Sequence, residues 1–124
     1  MTRLPRVLVV DDDQDFREAL AELLASRGMV VRLASNGAKA LAILGRDPLP
    51  DVLLLDLVMP GLDGRAVLAV LRADLRLASL RVIVLTGADP GGEQLGAPHL
   101  MKPFAFEALL MLIAAQPAPR SDRN

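Results

Sequence analysis

The 124-residue sequence contains no cysteine, tryptophan or tyrosine, and its formal net charge is only −1. Without cysteine the chain can have no disulfides, no thiol catalysis and no thiolate metal site. A near-zero charge with both signs mixed along the chain argues against direct binding to nucleic acid. These absences remove the thiol-based function classes and disfavour nucleic acid as a partner.

Long apolar runs are missing as well. No run approaches the length of a transmembrane helix, because charged residues interrupt every segment. The first six residues lead directly into a strand pattern and lack the apolar stretch of a signal peptide. We therefore expect a cytoplasmic location and no membrane partner.

The size and hydrophobicity of the chain fit one domain. With 124 residues and 52% hydrophobic content, it is long enough to bury a core but too short for two domains. We expect the domain to span residues 1–116 and residues 117–124 to form a polar tail or linker.

Apolar runs alternate with segments of helical period, which is typical of βαβ units and of an α/β fold. Unbroken apolar runs predict strands that are buried on both faces, as in a parallel sheet. The predicted strands are 6–10, 29–34, 51–56, 81–86 and 99–101, and the predicted helices are 14–27, 38–44, 65–73 and 104–115.

The helical periodicity also predicts which side chains face inward. In the first helix this face carries Phe16, Leu20, Leu23 and Leu24, and in the last helix it carries Phe106, Leu109, Leu110 and Ile113. We also place Met101 and Met111 in the core.

The connection between the fourth and fifth strands is unusual. Residues 87–97 include Pro90, Gly91, Gly92 and Gly96, and only residues 93–95 form a stretch without a helix breaker. A parallel crossover needs roughly a dozen residues and usually contains a helix. We therefore expect the fourth helix to be shortened or missing.

Acidic residues follow two of the predicted strands. Asp11, Asp12 and Asp13 come directly after the first strand, and Asp56 ends the third. In an open parallel sheet the ligand crevice lies outside the carboxyl ends of the strands. Carboxylates gathered there repel one another, and Mg²⁺, which prefers oxygen ligands, relieves that repulsion. The pattern predicts an acidic Mg²⁺ pocket.

Two further strand ends add a hydroxyl and an ammonium group. If the strand order is 2-1-3-4-5, Thr86 and Lys102 reach the same edge. That set suits phosphoryl transfer, which depends on charge neutralisation and positioning. Asp56 is the better nucleophile, because it stands alone on its strand while Asp11 and Asp12 can share the metal. Lys102 and Thr86 can bind phosphoryl oxygens.

Four motifs carry a family resemblance: VVDDD at 9–13, LDLVMPGLDG at 55–64, LTG at 85–87 and KPF at 102–104. In this order and at these places the chain resembles a response-regulator receiver domain of two-component signalling, similar to chemotaxis receivers. The resemblance extends from residue 7 to about residue 115. It implies a flavodoxin-like, doubly wound α/β fold with a five-stranded parallel sheet of order 2-1-3-4-5.

The resemblance also implies a role for each residue of the metal site. Asp12 would bind Mg²⁺ directly and Asp11 through water, next to the phosphorylated Asp56. The backbone carbonyl of Val58 would complete the protein ligands. A cis bond before Pro103 would be compatible with the loop beside this site.

Phosphoryl chemistry and switching are implied in the same way. Asp56 would accept a phosphoryl group from a histidine kinase or phosphotransfer protein, and Lys102 would pair with that group. Thr86 would move toward it as a switch residue. A downstream protein target is also implied, and the residues of the site do not specify which protein it is.

His99 stands three positions before Lys102, where the family usually carries a tyrosine or phenylalanine that turns inward. The position assigns His99 to the switch, although a histidine on a strand is equally compatible with half-buried packing. The short 87–97 connection also places in doubt the family's usual dimer contact, which uses the fourth helix, fifth strand and fifth helix.

Several acidic residues have simpler explanations than metal binding. Asp13 is expected to cap the first helix and Asp63 to order its own loop through backbone bonds. We expect Asp15 and Asp51 to be solvated.

Three functional hypotheses remain open at this point. The first is an active receiver, which is not a metabolic enzyme and catalyses only its own phosphorylation and dephosphorylation. The second is an aspartyl-phosphate phosphatase resembling haloacid dehalogenases, with residues 11–13 as an Asp-x-Asp motif, although no second acidic pair follows Asp89. The third is a degenerate receiver that serves only as an interaction module, although every position needed for chemistry is filled.

Overall fold

The computed structural model describes residues 4–46, 48–90 and 95–115. Five parallel strands form one sheet of order β2-β1-β3-β4-β5, which confirms the predicted fold class. The elements are β1 (Arg6–Val10), α1 (Gln14–Ser26), β2 (Val30–Ala34), α2 (Gly37–Arg46), β3 (Val52–Asp56), α3 (Gly64–Ala73), β4 (Arg81–Thr86), β5 (His99–Met101) and α4 (Phe106–Ala114).

The core has two halves, one on each face of the sheet. Successive residues of a strand point to opposite faces, so Leu8 and Val10 pack in one half while Val7 and Val9 pack in the other. The first half is completed by α2 and α3, and the second by α1 and α4. β3 is buried along its whole length because helices cover both of its faces.

Aspartate side chains cap the start of α1 and α3. The carboxylate of Asp13 accepts a hydrogen bond from the Phe16 N–H at 3.1 Å, and that of Asp63 accepts one from the Ala66 N–H at 3.0 Å. The predicted cap by Asp13 is confirmed, whereas Asp63, which was expected to order its own loop, caps α3. Asp51, in contrast, is not merely solvated, because its carboxylate accepts a hydrogen bond from the Arg6 N–H at 2.7 Å.

Some helix boundaries differ from the prediction. α2 continues through Gly45 to Arg46, because burial of Ala40 and Leu44 holds the helix together and the Arg76 guanidinium donates to the Leu44 carbonyl at 2.6 Å. α4 begins at residue 106 rather than 104.

The predicted shortening of the fourth helix is confirmed. No helix lies between β4 and β5 within residues 87–90 and 95–98, and residues 91–94 fall outside the described part of the chain. Leu77 and Leu80 from the preceding loop cover this side of the core, with Leu95 packed against them. The Arg72 guanidinium donates to the Gly96 carbonyl at 2.9 Å and fixes the end of the connection.

Three residues predicted to be inside are exposed. Met101 is 43% exposed because no described helix lies beside its face of β5, an edge strand. Met111 is 74% exposed, because α4 is apolar around most of its circumference and only one side of it meets the sheet. Leu23 of α1 is 46% exposed. None of the described helices is both long enough and apolar enough to cross a bilayer.

Gly64, the first residue of α3, lies where this helix packs closely against the end of β3. A Cβ on Gly64 would lie 2.6 Å from the Leu57 Cα and against the Asp56 carbonyl oxygen, whereas one on Gly45 would meet no atom within 4 Å. We expect Gly64→Ala to lower the free energy of unfolding by about 1–3 kcal/mol.

Gly45→Ala is the matched control, since it also places alanine in a helix. It should raise the free energy of unfolding by about 0.5–1 kcal/mol. Urea unfolding followed by circular dichroism measures both values. Equal stability of Gly64→Ala and the wild type would contradict the close packing of α3 on β3.

Candidate functional site

The register of the sheet brings the chemically active residues to one edge. Val10 lies opposite Leu55, so Asp11 and Asp56 follow at the same level on neighbouring strands. Thr86 pairs with Met101, and the Lys102 N–H donates to the Thr86 carbonyl at 2.7 Å. Four of the five strands therefore bring a polar residue to this edge, either as their last residue or directly after it.

Three carboxylates meet there. Asp11, Asp12 and Asp56 each offer an oxygen, and these oxygens lie within 4.8 Å of one another. Asp11 and Asp56 are buried, with 1% and 6% exposure, whereas Asp12 is exposed. One exposed and two buried carboxylates form a site that is open to solvent on one side.

Lys102 supplies the positive charge of the site. Its Nζ lies 2.6 Å from Asp11 Oδ2 and 3.8 Å from Asp56 Oδ2. A single ammonium group thus contacts Asp11 and faces Asp56. Three carboxylates outnumber it, so the site retains excess negative charge, which fits a hard divalent cation such as Mg²⁺.

The electrostatics of Asp56 reflect the same imbalance. Burial raises the pKa of its carboxyl group, and the negative charges of Asp11 and Asp12 raise it further. The Lys102 ammonium and the Val58 N–H, which donates to Asp56 Oδ1 at 3.2 Å, partly oppose this rise. The ionised Asp56 is therefore held at a cost in free energy that a bound cation would reduce.

Thr86 lies at the same edge of the sheet, and its hydroxyl group makes hydrogen bonds within the chain. The side chain is 1% exposed. Its Oγ1 donates to the Ala88 carbonyl at 3.1 Å and accepts from the Ala88 N–H at 3.2 Å. The hydroxyl therefore holds the beginning of the connection that follows β4.

The remaining predicted residues lie around this centre. Val58 follows Asp56 closely and has a side chain that is 63% exposed; the metal-binding role of its carbonyl stays a prediction. The Lys102–Pro103 bond is cis, as expected. His99 is exposed on β5, so its half-buried packing is not observed, and its switch role stays a prediction.

Two contacts in the site could not be predicted from the sequence motifs. The Arg17 guanidinium donates to the Asp11 carbonyl at 2.8 Å, and the Lys102 ammonium lies over the ring of Phe16, 4.0 Å from its centroid. Helical periodicity placed Phe16 on the inward face of α1, but no sequence signal connects it with Lys102. Both contacts come from the first two turns of α1.

Comparison with curated proteins points to one family. The chain is 41% identical over 116 residues to the response regulator MprA of Mycobacterium leprae and 40% identical to that of Mycobacterium tuberculosis. These alignments cover 89% of this chain, but only 50% and 49% of the relatives. The chain therefore spans about half the length of the curated relatives it matches.

Solved structures give the same result. A response regulator receiver protein from Pseudomonas putida superposes with a TM-score of 0.82 at 34% identity, covering 91% of this chain and 97% of that one. A response regulator protein from Thermotoga maritima, in complex with Mg²⁺-BeF, has a TM-score of 0.79 at 30% identity, covering 89% and 96%.

The profile of the response regulator receiver domain matches residues 7–114, which is most of the chain and contains every residue of the crevice. Receiver domains of this kind are signalling modules of two-component systems, and they interact with histidine kinases or phosphotransfer proteins. By its sequence, its sheet order and the residues at its strand ends, this chain belongs to the response regulator receiver domain family.

Proposed function

We propose that this chain accepts a phosphoryl group on Asp56 from a histidine kinase or phosphotransfer protein, in a reaction that depends on Mg²⁺, and that phosphorylation switches its contacts with a downstream protein. One observation carries the proposal: three carboxylate oxygens of Asp11, Asp12 and Asp56 lie within 4.8 Å of one another beside the Lys102 ammonium. The chain's activity is limited to its own phosphorylation and dephosphorylation.

The metal would be held by Asp11, Asp12, Asp56 and the backbone carbonyl of Val58. When bound, Mg²⁺ supplies neutralising charge for the phosphoryl group during transfer. The Mg²⁺-BeF complex of the Thermotoga maritima relative supports this choice of metal.

The covalent step belongs to Asp56. A carboxylate oxygen attacks phosphorus, the bond from phosphorus to the donor breaks, and the leaving group takes the electron pair. Asp11 is less suited to this role, because its carboxylate is paired with Lys102 at 2.6 Å and also accepts the Asp13 N–H at 2.9 Å.

Lys102 and Thr86 respond to the new charge. The Lys102 ammonium exchanges Asp11 for a phosphoryl oxygen, a short movement because Asp56 Oδ2 is only 3.8 Å away. Thr86 gives up its two bonds with Ala88 and donates its hydroxyl to another phosphoryl oxygen. That change releases the beginning of the connection after β4.

The output surface differs from that of the usual receiver dimer. Among the described residues no helix lies between β4 and β5 to join β5 and α4 in a three-element face. We propose that the symmetric dimer through this face does not form, and that the phosphorylated chain acts on a protein partner through another surface.

The first test is phosphorylation by a small donor. Incubation with acetyl phosphate and Mg²⁺ should add one phosphoryl group by intact mass, and Asp56→Asn should remove that gain. Asp15→Asn, which changes an exposed aspartate outside the cluster, is the control and should be modified like the wild type.

Either of two other outcomes would contradict the proposal and identify a different function. Hydrolysis of phosphomonoesters that survives Asp56→Asn but is lost in Asp11→Asn would identify a phosphatase. An unmodified wild-type protein with every donor tested would identify a degenerate receiver that acts only through contacts.

The second test concerns the metal. Mg²⁺ that binds only the folded state stabilises it in proportion to the logarithm of its concentration above Kd. The melting temperature of the wild type should therefore rise with Mg²⁺, and that of Asp12→Asn should rise much less. Asp15→Asn again serves as the control. If the melting temperature of Asp12→Asn rises as much as that of the wild type, Asp12 does not bind the metal.

The third test uses the raised pKa of Asp56. Folding favours the protonated form of this group, so its contribution to stability is largest in acid and is lost as the pH rises through the raised folded-state pKa. In metal-free buffer, Asp56→Asn should therefore raise the melting temperature more at about pH 7 than at about pH 4. A variant less stable than the wild type at neutral pH would contradict this electrostatic account.

A further inference from the structure

The ammonium group of Lys102 has a third neighbour besides the two carboxylates. Its Nζ lies 4.0 Å from the centroid of the Phe16 ring, and this is a cation–π contact. The same atom lies 2.6 Å from Asp11 Oδ2 and 3.8 Å from Asp56 Oδ2. The Phe16 ring and the carboxylates of Asp11 and Asp56 thus define the position of the Lys102 ammonium group.

The Phe16 ring is itself held in place from two sides. The Phe16 N–H donates to the capping carboxylate of Asp13 at 3.1 Å, which fixes the first turn of α1. The ring packs edge-to-face on Phe104, with centroids 6.2 Å apart and planes 83° apart. Phe104 follows Lys102 by two residues, so the segment that carries the ammonium group also supports the ring beneath it.

A ring suits this position because of the way it attracts a cation. Lysine has a flexible four-carbon stem and three rotatable N–H donors, so an ion pair alone leaves the ammonium group free to pivot. A ring face attracts the charge without requiring one N–H to point at a particular acceptor atom. The donors therefore stay available for oxygen atoms. The Lys102 side chain is only 22% exposed, which limits competition from water.

We propose that Phe16 is a positioning residue for phosphoryl transfer. Its ring holds the Lys102 ammonium within reach of Asp56 while the ammonium changes partner from Asp11 to a phosphoryl oxygen. The role in transfer rests on the function proposed above for Asp56 and Lys102, whereas the contact with the ring is independent of it.

The chain contains a matched control for this contact. Phe106 lines the same surface cavity as Phe16 and also carries a cation over its ring, the Arg27 guanidinium at 5.5 Å from the centroid. Arg27 is exposed at the end of α1 and is not a member of the carboxylate site. Phe106→Leu therefore removes a ring and a cation–π contact of the same type that does not involve Lys102.

The decisive measurement is the rate of phosphorylation at saturating acetyl phosphate and Mg²⁺, followed by intact mass. We expect Phe16→Leu to lower this rate by about two- to tenfold, because leucine keeps the apolar packing but lacks the ring face. Phe16→Tyr should restore the rate to within about twofold of the wild type. Phe106→Leu should match the wild type, and the half-saturating donor concentration should be unchanged throughout.

A graded substitution guards against a general packing defect. Fluorinated phenylalanines at position 16 keep the shape of the ring while weakening its attraction for a cation. The rate should fall stepwise with added fluorine while the melting temperature stays constant. A wild-type rate in Phe16→Leu, or a Phe16→Tyr variant as slow as Phe16→Leu, would overturn the proposal.

One measurement does not depend on phosphorylation. The Phe16 ring should displace the NMR signals of the Lys102 ε-methylene protons, and the displacement should disappear in Phe16→Leu but persist in Phe106→Leu. If the wild type is not phosphorylated but the displacement is present, the proposed function fails while the contact stands. If the displacement is absent, the positioning role itself is overturned.

Discussion

The ion pair between Lys102 and Asp11 is the interaction on which the site depends. It joins the ends of β1 and β5, two strands separated in the sheet by β3 and β4. Without the ammonium group, Asp11 and Asp56 would be two buried carboxylates that face each other and lack this ion-pair partner, which is a costly arrangement. The same ammonium group lies 3.8 Å from Asp56 Oδ2, so it only partly offsets the cost of burying the ionised Asp56.

Most of the fold could be predicted from the sequence because its rules are local. Unbroken apolar runs identify buried parallel strands, and a parallel sheet places all carboxyl ends at one edge. Asp56, Thr86 and Lys102 could therefore be placed together from their positions at strand ends, once the family resemblance supplied the strand order. The cap formed by Asp13 was equally predictable, since this aspartate directly precedes the first helix and accepts from a backbone N–H three residues later. The cap formed by Asp63 was not predicted, because the helix begins one residue earlier than its periodicity indicated.

What could not be predicted depends on the approach of elements that are distant in sequence. Helical periodicity places Phe16 on an inward face, but only the packed structure brings its ring beneath Lys102. The exposure of Met101 and Met111 was missed for a related reason, because hydrophobicity alone does not reveal which element covers a side chain. No described helix covers Met101, and α4 is apolar beyond its contact with the sheet. The continuation of α2 through Gly45 likewise reflects packing that outweighs local propensity.

The connection after β4 has two anchors of different kinds. At its beginning the Thr86 hydroxyl holds Ala88 through two hydrogen bonds, and near its end the Arg72 guanidinium holds the Gly96 carbonyl. A net hydrogen bond contributes about 0.5–1.5 kcal/mol, so the two bonds to Ala88 separate the held and released states by only a few kcal/mol. Under the proposed switch only this small free energy would oppose the release of Ala88, so a partner that prefers the released connection would need little binding energy to select it.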